Sequence, residues 1–239
     1  MEEQVNHLLE ITWSKLLSTP SNQRLLIAIA GPPGSGKTTL SQLLTTALNT
    51  RYASLHPSSP PVATYVPMDG YHYSRAQLDL FPNPEEAHRR RGSDFTFDGQ
   101  KFVQLVKRVS EGYGGNIYAP SFDHALKDPV EGGIKVDAAA RVVVFEGNYT
   151  LLPTCPWTQV LPLYHLKFFI SAPEPTLRHR LASRHLAAGL VPTLELGRDR
   201  ADFNDIPNGR QIQEGVLAHP PGTIDVILES KDDESWAPK

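Results

Sequence analysis

The chain has 239 residues, 40% of them hydrophobic and 21% charged, which gives a sizeable core and excludes a disordered chain. Its 23 Lys and Arg against 26 Asp and Glu leave a net charge of −3, which argues against a nucleic-acid binder with its strong basic excess. No apolar run reaches the roughly 18 residues that span a bilayer. The acidic start (Glu2, Glu3, Glu10) is unlike a secretory or transit leader, and the single cysteine, Cys155, cannot form an intrachain disulfide, so a cytoplasmic protein is expected.

In chain order, Val5, Leu8, Leu9, Trp13, Leu16 and Leu17 repeat at helical spacing and predict an amphipathic helix over about 3–18 that packs on the body. Its polar face lacks the Lys and Arg density of a membrane-surface helix. Leu25–Ala30 is an apolar strand, followed by a Gly-rich turn and a helix over 38–50. Residues 51–61, rich in Pro and Ser, read as a surface loop. Val62–Val66 predicts a second strand, which delivers Met68-Asp69-Gly70-Tyr71-His72-Tyr73 to its C-terminal end, where α/β sheets bind ligands. Residues 74–97 look irregular. Asp98 is placed to cap a helix over 99–110 with Phe102, Leu105, Val106 and Val109 inward. The stretch 111–136 reads as an insertion, in part a hairpin, over the site. Val142–Phe145 and Leu166–Ile170 are further strands. Pro175 opens a helix carrying Arg178, Arg180, Arg184 and His185. Another helix is predicted over 192–203, a last strand over 224–228 and a frayed tail over 230–239.

Strands alternating with helices predict an α/β fold: a parallel sheet with helices on both faces. The expected organisation is a single domain over 1–239. It carries an N-terminal helix (1–20), a small substrate-side insertion (70–136) and a helical lid (174–210).

The stretch around which the rest is arranged is Gly31-Pro32-Pro33-Gly34-Ser35-Gly36-Lys37-Thr38, followed by Thr39. It fits the phosphate-binding loop G-x-x-x-x-G-K-[ST]. Gly31, Gly34 and Gly36 free the backbone so that N–H groups can converge on an anion. The following helix adds its positive N-terminal end. Lys37 is a point charge for the β- and γ-phosphates, and Thr38 offers a hydroxyl to Mg²⁺. A Gly-rich turn with a chance Lys-Thr would not stand between a strand and a helix. The motif says nucleoside triphosphate and Mg²⁺, but not where the phosphoryl group goes.

Asp69, just past a strand, can take a proton from an attacking hydroxyl or reach Mg²⁺; the plain alternative is an Asp-Gly turn. Glu146, ending a hydrophobic strand, suits the metal side of a phosphate loop; the alternative is a solvated strand end. Arg180 and Arg184 share one helix face and could neutralise charge on a transferred phosphoryl group, against a plain solvated face. Arg89–Arg91 could bind an anionic substrate group or form a charged loop. Asp123 and His124 could touch substrate hydroxyls or form a turn. No metal-ligand spacing of histidines is present, nor an Asn-Lys-x-Asp guanine reader, nor H-R-D and D-F-G kinase motifs.

Together Gly31–Thr38, Met68–Tyr71, Arg91–Asp98, Pro120–His124 and Glu146–Gly147 resemble the group of uridine kinases, phosphoribulokinases and bacterial-type pantothenate kinases, over about 30–210. The similarity is greatest to a branch of bacterial and fungal small-molecule kinases, through Glu146–Tyr149, Arg184-His185…Gly189 and Asn204–Gly209. The resemblance implies ATP and Mg²⁺ as cofactors and the hydroxyl of a small molecule as acceptor. It implies Asp69 as base, with Lys37, Arg180 and Arg184 on the phosphates, and Thr38, Glu146 and Asp69 on the metal side. Substrate contacts are expected from Asp69, Tyr71, His72, Phe122, Asp123, His124, Asn148 and Tyr149. Two departures stand out. Uridine kinases carry Arg-Asp…Arg-Gly in the lid, where this chain has Arg184-His185 and Ala188-Gly189. Phe122-Asp123-His124 replaces their nucleoside-contacting Tyr-Asp pattern. Nucleoside, pantothenate-like and sugar acceptors all stay open, as does the oligomeric state. The rival readings are a regulator that binds or hydrolyses nucleotide, and an interaction module using the N-terminal helix.

Overall fold

The structure, a computed structural model, describes residues 1–112 and 114–230. In chain order the strands are β1 (Leu25–Ala30), β2 (Ala63–Pro67), β3 (Ile117–Asp123), β4 (Asp128–Val136), β5 (Val142–Glu146), β6 (Leu166–Ser171) and β7 (Val226–Glu229). The helices are α1 (Glu2–Ser18), α2 (Lys37–Leu55), α3 (Arg75–Leu78), α4 (Pro84–Arg89), α5 (Gly99–Glu111), α6 (Glu174–Ala187), α7 (Leu194–Arg200) and α8 (Ile206–Leu217). A five-stranded sheet runs in the order β2-β5-β1-β6-β7, with every neighbouring pair parallel. β3 and β4 form a separate antiparallel hairpin.

Strand residues alternate between two cores because successive side chains point to opposite faces. On one face Leu26, Ala28, Val143 and Phe145 pack with Phe102, Val106 and Val109 of α5 and Ile212 and Val216 of α8. On the other, Leu25, Ile27, Ile29, Val142 and Val144 pack with Val5, Leu8, Trp13 and Leu16 of α1 and Leu40, Leu44 and Leu48 of α2. The parallel sheet with helices on both faces is therefore as expected. Among the described residues no helix is long and apolar enough to cross a membrane.

Several local expectations need correction. α2 continues to Leu55, so residues 51–55 are helix; it stops at His56, before Pro57, whose ring disfavours a helical residue ahead of it. In α1, Leu17 is 73% exposed and Thr12 takes the inward place. Residues 74–97 contain α3 and α4. Ser74 makes a reciprocal capping box with Gln77, and Asn83 caps α4 ahead of Pro84. The helix placed at 192–203 is α7, which runs through a π turn at Ala201–Asp205 directly into α8. The last strand is shifted, to Val226–Glu229. Of the tail expected to fray, 231–239 lies outside the described residues. Ser230 is buried, with its N–H donated to Ser171 O. As predicted, the Asp98 side chain caps α5 by accepting from the N–H of Lys101.

Candidate active site

Sheet order assembles the site. β5 lies between β2 and β1, and its last residue, Glu146, registers with Pro67 of β2 and Ile29 of β1. The phosphate loop leaves β1, and Asp69 stands two residues beyond β2 in a 3₁₀ turn, Met68–Tyr71. Three chain segments far apart in sequence thus meet at the C-terminal edge of the sheet.

Within the loop, Gly34 and Gly36 have φ of 82° and 84°, in the left-handed region where other residues are strained. Ser35 N–H donates to Pro32 O, and its buried hydroxyl makes no hydrogen bond. Lys37, 8% exposed, donates to Pro32 O at 3.4 Å and lies 4.0 Å from Glu146 Oε1. Thr38 Oγ1 donates to Glu146 Oε1 (3.2 Å), and Tyr65 OH donates to Glu146 Oε2 (2.6 Å).

Burial pushes the Lys37 ammonium below its ordinary pKa, and the Glu146 and Asp69 carboxylates oppose that shift. Burial likewise raises Glu146, opposed by Lys37 and by the hydroxyls of Tyr65 and Thr38, and reinforced by Asp69. Two groups so desolvated hold their charges weakly by themselves. Phosphate oxygens beside Lys37 and a cation beside Glu146 would restore both. The donor set fits a nucleotide with Mg²⁺: an unbonded hydroxyl and lysine on the phosphate side, and Thr38 with Glu146 on the metal side. Among the described residues no three His, Cys, Asp or Glu group together as a metal cage.

The Asp69 carboxylate accepts no hydrogen bond among the described residues, yet it is electrostatically felt by Lys37, Glu146, Tyr65 and His72. Its backbone O accepts from His72 N (3.2 Å) and from His72 Nδ1 (2.8 Å), so Nδ1 carries the proton. Burial keeps His72 below its ordinary pKa and hence neutral near pH 7. Its ring stacks on Phe97 (3.9 Å) and Phe122 (5.0 Å), and Phe122 meets His124 (5.3 Å). The hairpin lies directly over this turn: a Cβ on Gly70 would run into the carbonyl of Pro120.

Other expected site residues are placed differently. Tyr149 is fully buried, packed on Phe97 and Trp157, with its hydroxyl donated to Gly92 O (2.8 Å); it is a core residue without access to a substrate. Tyr71 is 2% exposed and packs edge-on against Phe102, again in the core. Asp123 caps the hairpin turn by accepting from Ala125 N and Leu126 N, which fits the turn alternative. His124 is exposed beside it, and Asn148 is half-buried at the end of β5. Thr39 is half-buried on the first turn of α2, and Pro32 and Pro33 are buried.

Arg180 and Arg184 diverge despite their shared helix. Arg180 donates to Gly34 O (3.3 Å) and Ser230 Oγ (2.8 Å), contacts that tie it to the phosphate loop. Arg184 is largely exposed, 3.8 Å from Asp205 and within electrostatic range of Lys37. Asp205 also holds His185 at 2.9 Å.

A network that the spacing arguments missed joins Arg90, Ser93, Asn204 and Asn208. The next residue, Gly209, rests on Pro32 of the phosphate loop, where an added Cβ would stand 3.1 Å from the Pro32 Cβ. Its signal was the Asn204–Gly209 motif, noted as a family mark without a partner.

The family model for phosphoribulokinase and uridine kinase matches residues 26–174, which contain the phosphate loop, Asp69, the hairpin and Glu146. The chain belongs to the phosphoribulokinase/uridine kinase family. It is 41% identical over 207 residues to a Schizosaccharomyces pombe protein named "Putative uridine kinase", covering 87% of this chain and 83% of that one. It is 38% identical to the "ATP-dependent kinase YFH7" of Lachancea thermotolerans over 70% of this chain and 58% of that relative. Among solved structures, the "putative fructose transport system kinase" of Silicibacter sp. TM1040 superposes with a TM-score of 0.77 at 29% identity, covering 94% of this chain and 98% of that chain. The P-loop kinase fold expected from the sequence is the fold of this family.

Proposed function

We propose that this P-loop kinase transfers the γ-phosphoryl group of ATP to a hydroxyl of a small molecule, with Mg²⁺ as cofactor. The observation that carries the reading is the Asp69 carboxylate, unbonded among the described residues and placed beside Lys37 and Glu146 at the edge of the sheet. In this reading Gly31–Thr39 cradle the phosphates and Lys37 balances their charge. Thr38 and Glu146 hold the metal, which screens the phosphate oxygens when bound. Asp69 takes the proton of the acceptor hydroxyl as its oxygen bonds to the γ-phosphorus and the bond to the β-phosphate oxygen breaks, releasing ADP. Arg184 meets developing charge, and Arg180 keeps the loop in shape. His72 and Phe122 line the acceptor side. A nucleotide-hydrolysing regulator would need neither a free carboxylate at that point nor a hairpin folded over it. The single cysteine supports a cytoplasmic setting.

The test is ATP consumption against a panel of nucleosides, vitamins, sugars and their acidic derivatives, with the rate on water subtracted. An acceptor-dependent rate that falls about 10²–10³-fold in Lys37→Ala is expected, in line with the loss of one preorganised cationic donor. Consumption that no acceptor raises would return the protein to the regulator class.

A further inference from the structure

We propose that Arg90 binds an anionic group on the phosphoryl acceptor, so that the substrate is an acidic alcohol, a hydroxy acid or a phosphorylated polyol, in place of a neutral nucleoside. The inference rests on the kinase reading above and narrows it.

Three consecutive arginines have three different surroundings. Arg91 is ion-paired with Asp128 (2.9 Å) and donates to Tyr73 O and Lys127 O, so it ties its segment to the hairpin. Arg89 is exposed, with its guanidinium 3.8 Å from the centre of the Phe203 ring. Arg90 is half-buried, and among the described residues no carboxylate lies within ion-pair distance of it. Its side-chain partners are neutral: Nε donates to Asn204 Oδ1 (3.1 Å), Nη2 donates to Asn208 Oδ1 (3.5 Å), and the guanidinium lies 5.9 Å from the centre of the Phe203 ring that Arg89 also faces.

Those amides are themselves held. Asn204, Asn208 and Ser93 are 6%, 2% and 2% exposed. Ser93 Oγ donates to both asparagines, Asn208 Nδ2 donates to Asn204 Oδ1, and Asn204 Nδ2 donates to Arg91 O. Burying so many polar groups is costly unless they are bonded to one another. Here they clamp the side edge of one guanidinium. A guanidinium has five N–H groups, and its end-on edge, formed by Nη1 and Nη2, matches the two oxygens of a carboxylate or phosphate. The asparagines take Nε and one proton of Nη2; among the described residues Nη1 makes no hydrogen bond, which leaves it and the second Nη2 proton for such a ligand. Asp94 and Asp205 share this neighbourhood, but Asp94 accepts from Gln211 and Asp205 holds His185 and Arg184. Asn208 adjoins Gly209, which rests on the phosphate loop, and Arg91, next to Arg90, lies 5.6 Å from the centre of the Phe122 ring and within electrostatic range of His72. Arg90 therefore stands between the phosphate loop and the His72–Phe122 side.

The test begins with the protein loaded with Mg²⁺ and a non-hydrolysable ATP analogue, so that the phosphate loop is filled. Calorimetry then compares matched probes: glycerol, glycerate and glycerol phosphate; ribose, ribonate and ribose phosphate; and uridine. Acid-bearing probes are expected to bind at least about tenfold more tightly than their neutral counterparts, and the carboxylate and phosphate arms show which anion is preferred. Arg90→Gln should erase that preference without changing affinity for the ATP analogue. Arg90→Lys, which keeps the charge but loses the fork, should retain part of it. If melting shows that Arg90→Gln does not fold, the wild-type preference and Arg90→Lys carry the test. Uridine or a neutral sugar binding as well as the acids would overturn the proposal, as would a preference unchanged in folded Arg90→Gln. So would acids that bind only by displacing the nucleotide analogue. Arg90-dependent binding with no transfer to any alcohol would refute the kinase reading and leave the anion site standing. Transfer to neutral alcohols alone would do the reverse.

Discussion

On the phosphate-loop side of the crevice, the groups lie within Gly31–Thr38 or at the end of the adjacent strand β5. On the facing side they come from the turn after β2, the segment 90–97, the hairpin and the start of α8. The first side is set mainly by backbone: strand register, two left-handed glycines and a helix start. The second is set by side chains reaching across more than a hundred residues, such as Arg90 to Asn204 and Ser93 to Asn208. A backbone-built site fixes the phosphate chain it cradles, whereas a site assembled from distant side chains can change its acceptor by changing a few of them. Family members can therefore share the nucleotide side and differ on the other.

The largest effect that would sharpen this contrast is expected at Asp69, in the turn after β2, within electrostatic range of Lys37 and Glu146 on the other side. Asp69→Asn keeps the shape but cannot take the acceptor's proton, so kcat should fall about 10²–10⁴-fold while affinity for ATP is preserved. Rapid-mix measurement of kcat with a parallel nucleotide titration checks this. Loss of ATP·Mg²⁺ affinity with kcat kept at saturation would move Asp69 to the metal side.

A smaller effect is expected at Tyr65. Its hydroxyl favours the charged form of Glu146, whose pKa burial already holds above the carboxylate range. Tyr65→Phe should raise it further. The apparent Mg²⁺ affinity would then weaken on the acid side at a higher pH than in wild type, by roughly ten- to a hundredfold for one hydrogen bond to a charged group. Profiles of Mg²⁺ dependence against pH that coincide for the two proteins would contradict the role given to Glu146.

The smallest effect lies outside the crevice, where Glu174 accepts from Arg210 and Arg178. Hydrogen bonding from Arg210, then from Arg178, holds its carboxyl down to about 2 from 4.5. A depressed folded-state pKa stabilises fully above about pH 4.5 and loses that stabilisation as pH falls through about 2. The pair is screened by water, so the whole contribution is under about 1 kcal/mol. Glu174→Gln should lower Tm slightly at pH 6, with the difference from wild type disappearing at the acid end of that window. A difference that did not change with pH would indicate packing as its source.

The same contrast accounts for what could be read without a structure. The phosphate loop, Asp69, Glu146 and the α5 cap are short-range patterns, and each fell in its expected place in the fold. The capping signals of α3 and α4 were also present, as Ser74 with Gln77 and as Asn83-Pro84, but the helices are too short to show apolar periodicity. α8 was hidden by Pro207 and Gly209. A proline is tolerated there because it sits in the first turn of the α8 segment, just after the π turn. Tyr71 and Tyr149 lie next to site residues in sequence, yet both face the core: nearness along a chain does not say which way a side chain turns. Arg180 and Arg184 share a helical spacing, but Ser230 and Asp205 draw them apart, and neither partner is signalled locally.

The most direct test of the central claim follows the γ-phosphoryl group itself. ATP carrying ³²P at the γ-position is incubated with the protein, Mg²⁺ and the best acceptor from the panel, and the radiolabel is traced by chromatography. The account predicts label in a stable phosphate ester of that acceptor, formed in step with ADP and strongly reduced in Asp69→Asn. Label recovered only as inorganic phosphate, at a rate indifferent to acceptor and to Asp69, would contradict it.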